Sequence, residues 1–139
     1  MATLLLPAVL RLRRQLLWRR KLQHVSPYVK GNLLAEARRL NRAGYPVAAV
    51  VTSRIAIERL LREMSFAHPQ WKGYGGGIRN YAMFLVAAGL IARETSHVIE
   101  AFAKRANSVT HGGPVGRVRA RQIIRRGAAV AELLQGGAA

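Results

Sequence analysis

The segment Lys104-Arg105-Ala106-Asn107-Ser108-Val109-Thr110-His111-Gly112-Gly113-Pro114 sets an amide and an imidazole four residues apart, just before a hard helix stop. At i, i+4 spacing Asn107 and His111 share one helical face. Lys104 precedes His111 by seven residues and falls on nearly the same face, whereas Arg105, six residues before it, points elsewhere on an ideal helix. A neutral imidazole can take a proton near pH 7, and an adjacent cation can stabilise charge developing on a phosphoryl group. His111 is therefore a candidate acid/base, with Asn107 beside it and Arg105 or Lys104 as electrostatic partner. The same residues also read as a helix terminus. Gly supplies a left-handed cap, Pro forbids continuation, and a cationic His suits the negative end of the helix dipole. The residues alone leave both readings open.

Other groups could assist. Arg54 and Glu58 stand at i, i+4, either as a surface ion pair or turned toward Asn107 and His111 to orient them. Near the C-terminus, Arg117, Arg121 and Arg125 repeat at i, i+4 and form one basic stripe, with Arg119 and Arg126 nearby and Glu132 the one acid. Such a stripe is either a solvated face or a track for phosphates. The loop Trp71-Lys72-Gly73-Tyr74-Gly75-Gly76-Gly77 interleaves aromatics with glycine. Trp71 and Tyr74 could stack bases there, or the loop is a plain connector. It lacks the Gly-Lys-Ser/Thr ending of a phosphate loop. The histidines His24, His68, His97 and His111 make no metal-spaced pair, and the chain has no Asp and no Cys. A divalent-metal nuclease site, a disulfide framework and a Cys nucleophile are thereby disfavoured, and no metal or cofactor is expected.

Charge dominates the composition. The 139 residues carry 23 Lys+Arg against 6 acids, a formal net charge of +17, and every acid is Glu. An excess of this size repels itself unless anions are near, which points to RNA or another polyanion; an Arg-rich coding bias is the alternative. Half of the residues are hydrophobic, enough for one domain with a core.

The apolar pattern that must position these groups is helical, with no alternating strands. The spacing predicts five or six helices. They cover about 4–24, a stretch from Pro27 (Ser26 as N-cap) to Ala43-Gly44, 46–66, 78–91, 93–110 and 115–134. A Gly-rich loop over 68–77 separates the third from the fourth. Val47, Val50, Val51, Ile57, Leu61 and Met64 are the expected core stripe of the third helix.

The first helix is expected to be an amphipathic basic arm over residues 1–25. Leu5, Val9, Leu12 and Leu16 share a face, and Arg11, Arg13, Arg14, Arg19, Arg20 and Lys21 follow the leading apolar run. That order is the reverse of a secretory signal. The arginines interrupt the run well before the roughly 20 apolar residues of a spanning helix, so no transmembrane segment is expected. An organellar presequence fits the acid-free composition but not the scarcity of Ser. An arm lying on the domain, on RNA or on a membrane surface fits both.

Two stretches give the chain a family likeness. Residues 39–61, with Arg54 and Glu58 four apart, and residues 88–112, ending Asn107-Ser108-Val109-Thr110-His111-Gly112, resemble the HEPN superfamily of helical nucleotide-binding domains. The likeness covers about residues 30–135. It implies an all-α, HEPN-like bundle, a dimer of paired helices, and an RNA-related role in a toxin or defence setting. Members that cleave RNA carry Arg, then a polar residue, three further residues and His, and work without a metal. Here Asn107 and His111 match, Ala106 stands where Arg is implied, and Arg105 is displaced by one residue.

The sequence is thus read as one all-α HEPN-like domain over 26–136, preceded by the basic arm over 1–25. RNA or polyanion binding leads, through Arg117, Arg121, Arg125, Lys104, Arg54, Trp71 and Tyr74. The alternatives are a metal-independent RNase using His111, and a module binding an acidic partner protein. A homodimer is expected. A cytoplasmic location is expected as well, with an organellar one, reached through a cleaved N-terminal segment, as the alternative.

Overall fold

The computed structural model of the chain describes residues 33–73 and 75–136. The expected arm over 1–25, the expected N-cap at Ser26 with Pro27, and Tyr74 lie outside the described residues. Within them the fold is all-helical, with no strand. The helices are α1 (Ala35–Arg42), α2 (Pro46–Phe66), α3 (Ile78–Ala87), α4 (Arg93–Thr110) and α5 (Arg117–Gly136). None of them is long and apolar enough to cross a membrane.

The central element is α2, which packs against all four other helices. Pro46 opens it at the position where a missing N–H costs nothing. Its inward line includes Ala49, Ser53, Ala56, Ile57, Leu60 and Met64. The small members of that line let neighbouring backbones come close, and Ser53 spends its hydroxyl on the carbonyl of Val50. Val50, Ile57, Leu61 and Met64 of the expected stripe are buried, and Val51 is half-buried. Val47 is exposed instead. It is the second residue of the helix, in its first turn, where the end of α2 leaves it uncovered.

Around α2 the other helices form an arc in which α3 touches α4, α4 touches α5, and α5 touches α1. Phe102 of α4 is fully buried and seats its ring edge on Gly127 of α5. A Cβ at Gly127 would stand 3.1 Å from that ring, so the glycine sets how closely α4 and α5 approach. Burying a side chain of this size contributes on the order of 2 kcal/mol.

The ends of α1 and α3 share one device. At α1 the N–H of Gly44 donates to the carbonyl of Asn41 and that of Tyr45 to Leu40; at α3, Gly89 donates to Val86 and Leu90 to Leu85. This paired closure satisfies the last carbonyls and turns the chain away. It ends α3 at Ala87, short of the expected Ile91, because Ala88-Gly89 acts as a stop. The last helix starts at Arg117 rather than Val115, since the carbonyl of Gly116 accepts the first helical N–H, from Ala120.

Candidate functional site

On α4 the buried line is Ile99, Phe102, Ala106 and Val109. Lys104, Arg105, Ser108 and His111 lie outside it, all exposed, with Asn107 half-buried on the flank. The helix thus brings Lys104 and His111 to one solvent-facing side. Arg105 is turned about 120° from His111 around the axis. Ala106, where the HEPN likeness would imply Arg, is 0% exposed and sits in the core. This fold has no room there for a guanidinium, whose charge would be desolvated without a partner.

His111 is the C-cap of α4, and the residues after it complete the closure seen at α1 and α3. Gly112 has φ 92°, a conformation that an L side chain enters only with strain. Its N–H donates to Val109 at 3.1 Å, and the N–H of Gly113 donates to Ser108 at 2.8 Å. A Cβ on Gly113 would come within 2.5 Å of the Ser108 carbonyl oxygen. Helix termination therefore accounts for both glycines of the segment. The exposed imidazole is the part that it leaves unexplained.

Arg54 and Glu58 do pair, at a loose 3.6 Å, with about a third of each side chain exposed. Arg54 Nε is buried without a hydrogen-bond partner. Among the described residues no hydrogen bond or ion pair joins this pair to Asn107 or His111. The side chain of Asn107 makes none at all, and its carbonyl serves the His111 N–H.

The basic stripe on α5 divides by role. Arg121 and Arg125 are exposed. Arg117 instead reaches across to the end of α1. Its Nε donates to the carbonyl of Asn41 at 3.2 Å and another of its nitrogens donates to that of Arg42. Asn41, itself buried, donates its side-chain amide to the Arg117 carbonyl at 3.0 Å. A cation bonded to the last carbonyls of a helix also opposes the negative end of its dipole.

Trp71 is half-buried within an aromatic cluster. Its ring stacks on Phe66 (5.7 Å, 28°) and meets Tyr81 and Phe84 at 5.5 and 5.0 Å. Arg62 lies 5.0 Å over the Phe66 ring, and Phe66 is 53% exposed. Trp71 thus anchors the loop to α2 and α3, and the open aromatic of the cluster is Phe66. Next to it, His68 Nδ1 accepts the Gln70 N–H at 3.2 Å, and its ring meets Phe84 edge-on. Burial holds the His68 pKa below its ordinary value.

Three residues missed by sequence reasoning stand out. Arg38 and Arg42 are exposed on α1, beside the helix that Arg117 clamps. Tyr45, at the turn after α1, is 62% exposed, more than any other aromatic among the described residues. The run Arg38-Arg39…Arg42 was the available signal. Among the described residues no group of three His, Asp or Glu could hold a metal ion. No protein-family model, no curated protein and no solved structure matches the chain.

Proposed function

We propose that this protein binds RNA or another polyanion through its surface cations, as a HEPN-like helical domain. One observation carries the reading. Every Lys and Arg among the described residues is exposed except Arg54, while the chain has only 6 acids to set against 23 cations. At least two of those acids are already used, Glu36 on Arg39 at 2.7 Å and Glu58 on Arg54. Exposed like charges at this density repel one another, and a phosphate chain relieves the repulsion while releasing its own counterions. The HEPN likeness supports RNA as the polyanion, a homodimer as the assembly, and a toxin or defence setting.

The test is fluorescence anisotropy of a single-stranded RNA oligomer titrated with the full chain at several salt concentrations. With four phosphates engaged, affinity falls about 50-fold between roughly 50 and 200 mM salt. Affinity independent of salt contradicts the reading and favours an uncharged contact.

A second reading rests on one specific feature. The His111 imidazole and the Lys104 ammonium share an exposed side of α4. In a metal-independent RNase, His111 takes the proton of a ribose 2′-hydroxyl as that oxygen attacks the neighbouring phosphorus, the P–O5′ bond breaks to leave a 2′,3′-cyclic phosphate, the departing 5′-oxygen takes a proton from water, and Lys104 stabilises the charge on the phosphoryl oxygens. Cleavage in the presence of a chelator that is abolished by His111→Ala, with the fold intact, supports it. Wild-type protein that binds but leaves RNA whole removes it.

A further inference from the structure

We propose that the groove between α1 and α5 is a binding site for one single nucleic-acid strand, with Arg38, Arg42, Arg121 and Arg125 on its phosphates and Tyr45 under a base. The proposal rests on the polyanion reading above and names where on the molecule it is realised.

The placement follows from contacts that fix how the two helices lie. Arg117, at the start of α5, bonds the end of α1 at Asn41 and Arg42. Seven residues further along α5, Ile124 packs with Ala37 and Leu40, back along α1. The helices therefore run antiparallel, about 7 Å of α1 lying against about 10 Å of α5. On α5, Arg121 and Arg125 continue the flank that Arg117 turns toward α1. They lie progressively further out from the buried line of Ala120, Ile123, Ile124 and Gly127. On α1, Asn41 is the residue that reaches α5, and Arg38 and Arg42 continue outward from it. Exposed arginines thus stand on both helices beside a floor made by the Asn41–Arg117 bonds, Arg38 about level with Arg121, and Arg125 a turn beyond.

The floor decides what these arginines are for. Arg117 has its guanidinium committed to two carbonyls, so it holds the helices together and carries only general charge to a ligand. Arg38, Arg42, Arg121 and Arg125 have no acidic partner among the described residues. Along each helix the pairs stand about 6 Å apart. That is the scale on which successive phosphates recur along an extended strand. Planar guanidinium groups suit phosphate oxygens in a bidentate fashion, which favours a phosphodiester chain over the scattered carboxylates of an acidic protein.

Tyr45 gives the site a direction. It follows α1, held by its own N–H on the Leu40 carbonyl, at the same end of the helix as Arg42 and Arg117. An exposed aromatic at the end of a cationic groove is the arrangement by which single-strand binders combine phosphate contact with base stacking. A duplex keeps its bases stacked inside and cannot use it.

The experiment compares three forms of the full chain: wild type, Arg38→Gln/Arg42→Gln/Arg121→Gln/Arg125→Gln, and a charge-matched control, Arg62→Gln/Lys72→Gln/Arg79→Gln/Arg93→Gln. The control sites are exposed and lie away from the groove. Circular dichroism and urea unfolding establish that each form is folded. The proposal expects single-stranded RNA affinity to fall at least about tenfold more for the groove variant than for the control. Equal losses overturn the groove while leaving the polyanion reading standing, and no binding by wild type overturns both. Preference for an acidic peptide of matched charge over RNA also overturns the proposal. In a separate arm, Tyr45→Ala weakens binding about tenfold for an oligonucleotide but not for an abasic strand of the same length. Equal effects on the two strands remove Tyr45 from the site.

Discussion

Asn41 and Arg117, 76 positions apart in the chain, each donate to the other's carbonyl oxygen. The amide and guanidinium that make these bonds tie the end of α1 to the start of α5. This tie separates Arg117 from the two arginines that continue its stripe, and it gives the proposed groove a rigid floor.

The first prediction contrasts Arg117 with Arg121. Arg117→Gln loses two charge-assisted bonds to the end of α1, which lowers stability by about 1–3 kcal/mol in urea unfolding. Arg121→Gln, at an exposed site, stays within about 0.5 kcal/mol but weakens RNA binding. The reverse pattern, a stable Arg117 variant with lost binding, would place Arg117 on the ligand.

A second prediction separates cap from catalysis at the end of α4. Gly112→Ala costs about 1 kcal/mol, because the backbone there has positive φ. Gly113→Ala costs at least as much, because its Cβ meets the Ser108 carbonyl. His111→Ala changes stability by no more than about 0.5 kcal/mol. Thermal and urea unfolding of the three variants measures the order. A large loss at His111 with tolerance at Gly112 would contradict the assignment.

How much of this was legible beforehand differs from residue to residue. The bounds of α2 and α4 stand as expected, because Pro46 and the Gly112-Gly113-Pro114 stop are local signals that no distant contact overrides. The apolar spacing runs on through Gly89, although Ala88-Gly89 repeats the Ala43-Gly44 stop. Val47 matched the apolar spacing, but it is the second residue of α2, where the helix end leaves it exposed. The role of Arg117 could not be read from a stripe at i, i+4, because its partners are carbonyls 75 and 76 positions away. Ala106 was legible in principle. Its spacing from Ile99, Phe102 and Val109 already puts it on the buried line.

That burial yields a third prediction. Ala106→Arg supplies the Arg-Asn pattern that the HEPN likeness implies for cutting members, yet it should not create a nuclease. A guanidinium at a fully buried position without a partner costs at least about 3 kcal/mol. The variant is expected to unfold at lower urea and to show no new cleavage of single-stranded RNA. A folded variant that cuts would show that α4 can turn position 106 out of the core.

The fourth concerns pH. Burial holds the His68 pKa below its ordinary value of 6.5, so the folded state favours the neutral ring. Nδ1 then accepts the Gln70 N–H, which a protonated ring cannot do. A depressed histidine contributes stability that is present above its unfolded pKa. That contribution is lost as pH falls through 6.5 toward the lower folded value. His68→Phe keeps a ring against Phe84 and removes the titration. Wild type is expected to lose more stability than the variant between about pH 7.5 and 5.5, by urea unfolding. Parallel pH profiles would dismiss the effect.

The measurement that tests the account most directly is the slope of log K against log salt for single-stranded RNA, taken on wild type and on the Arg38/Arg42/Arg121/Arg125 glutamine variant. Each phosphate neutralised contributes about 0.7 to the slope for a single strand. The account predicts a steep negative slope for wild type and one shallower by about 2.8 for the variant. A wild-type slope near zero, or equal slopes for the two proteins, contradicts it.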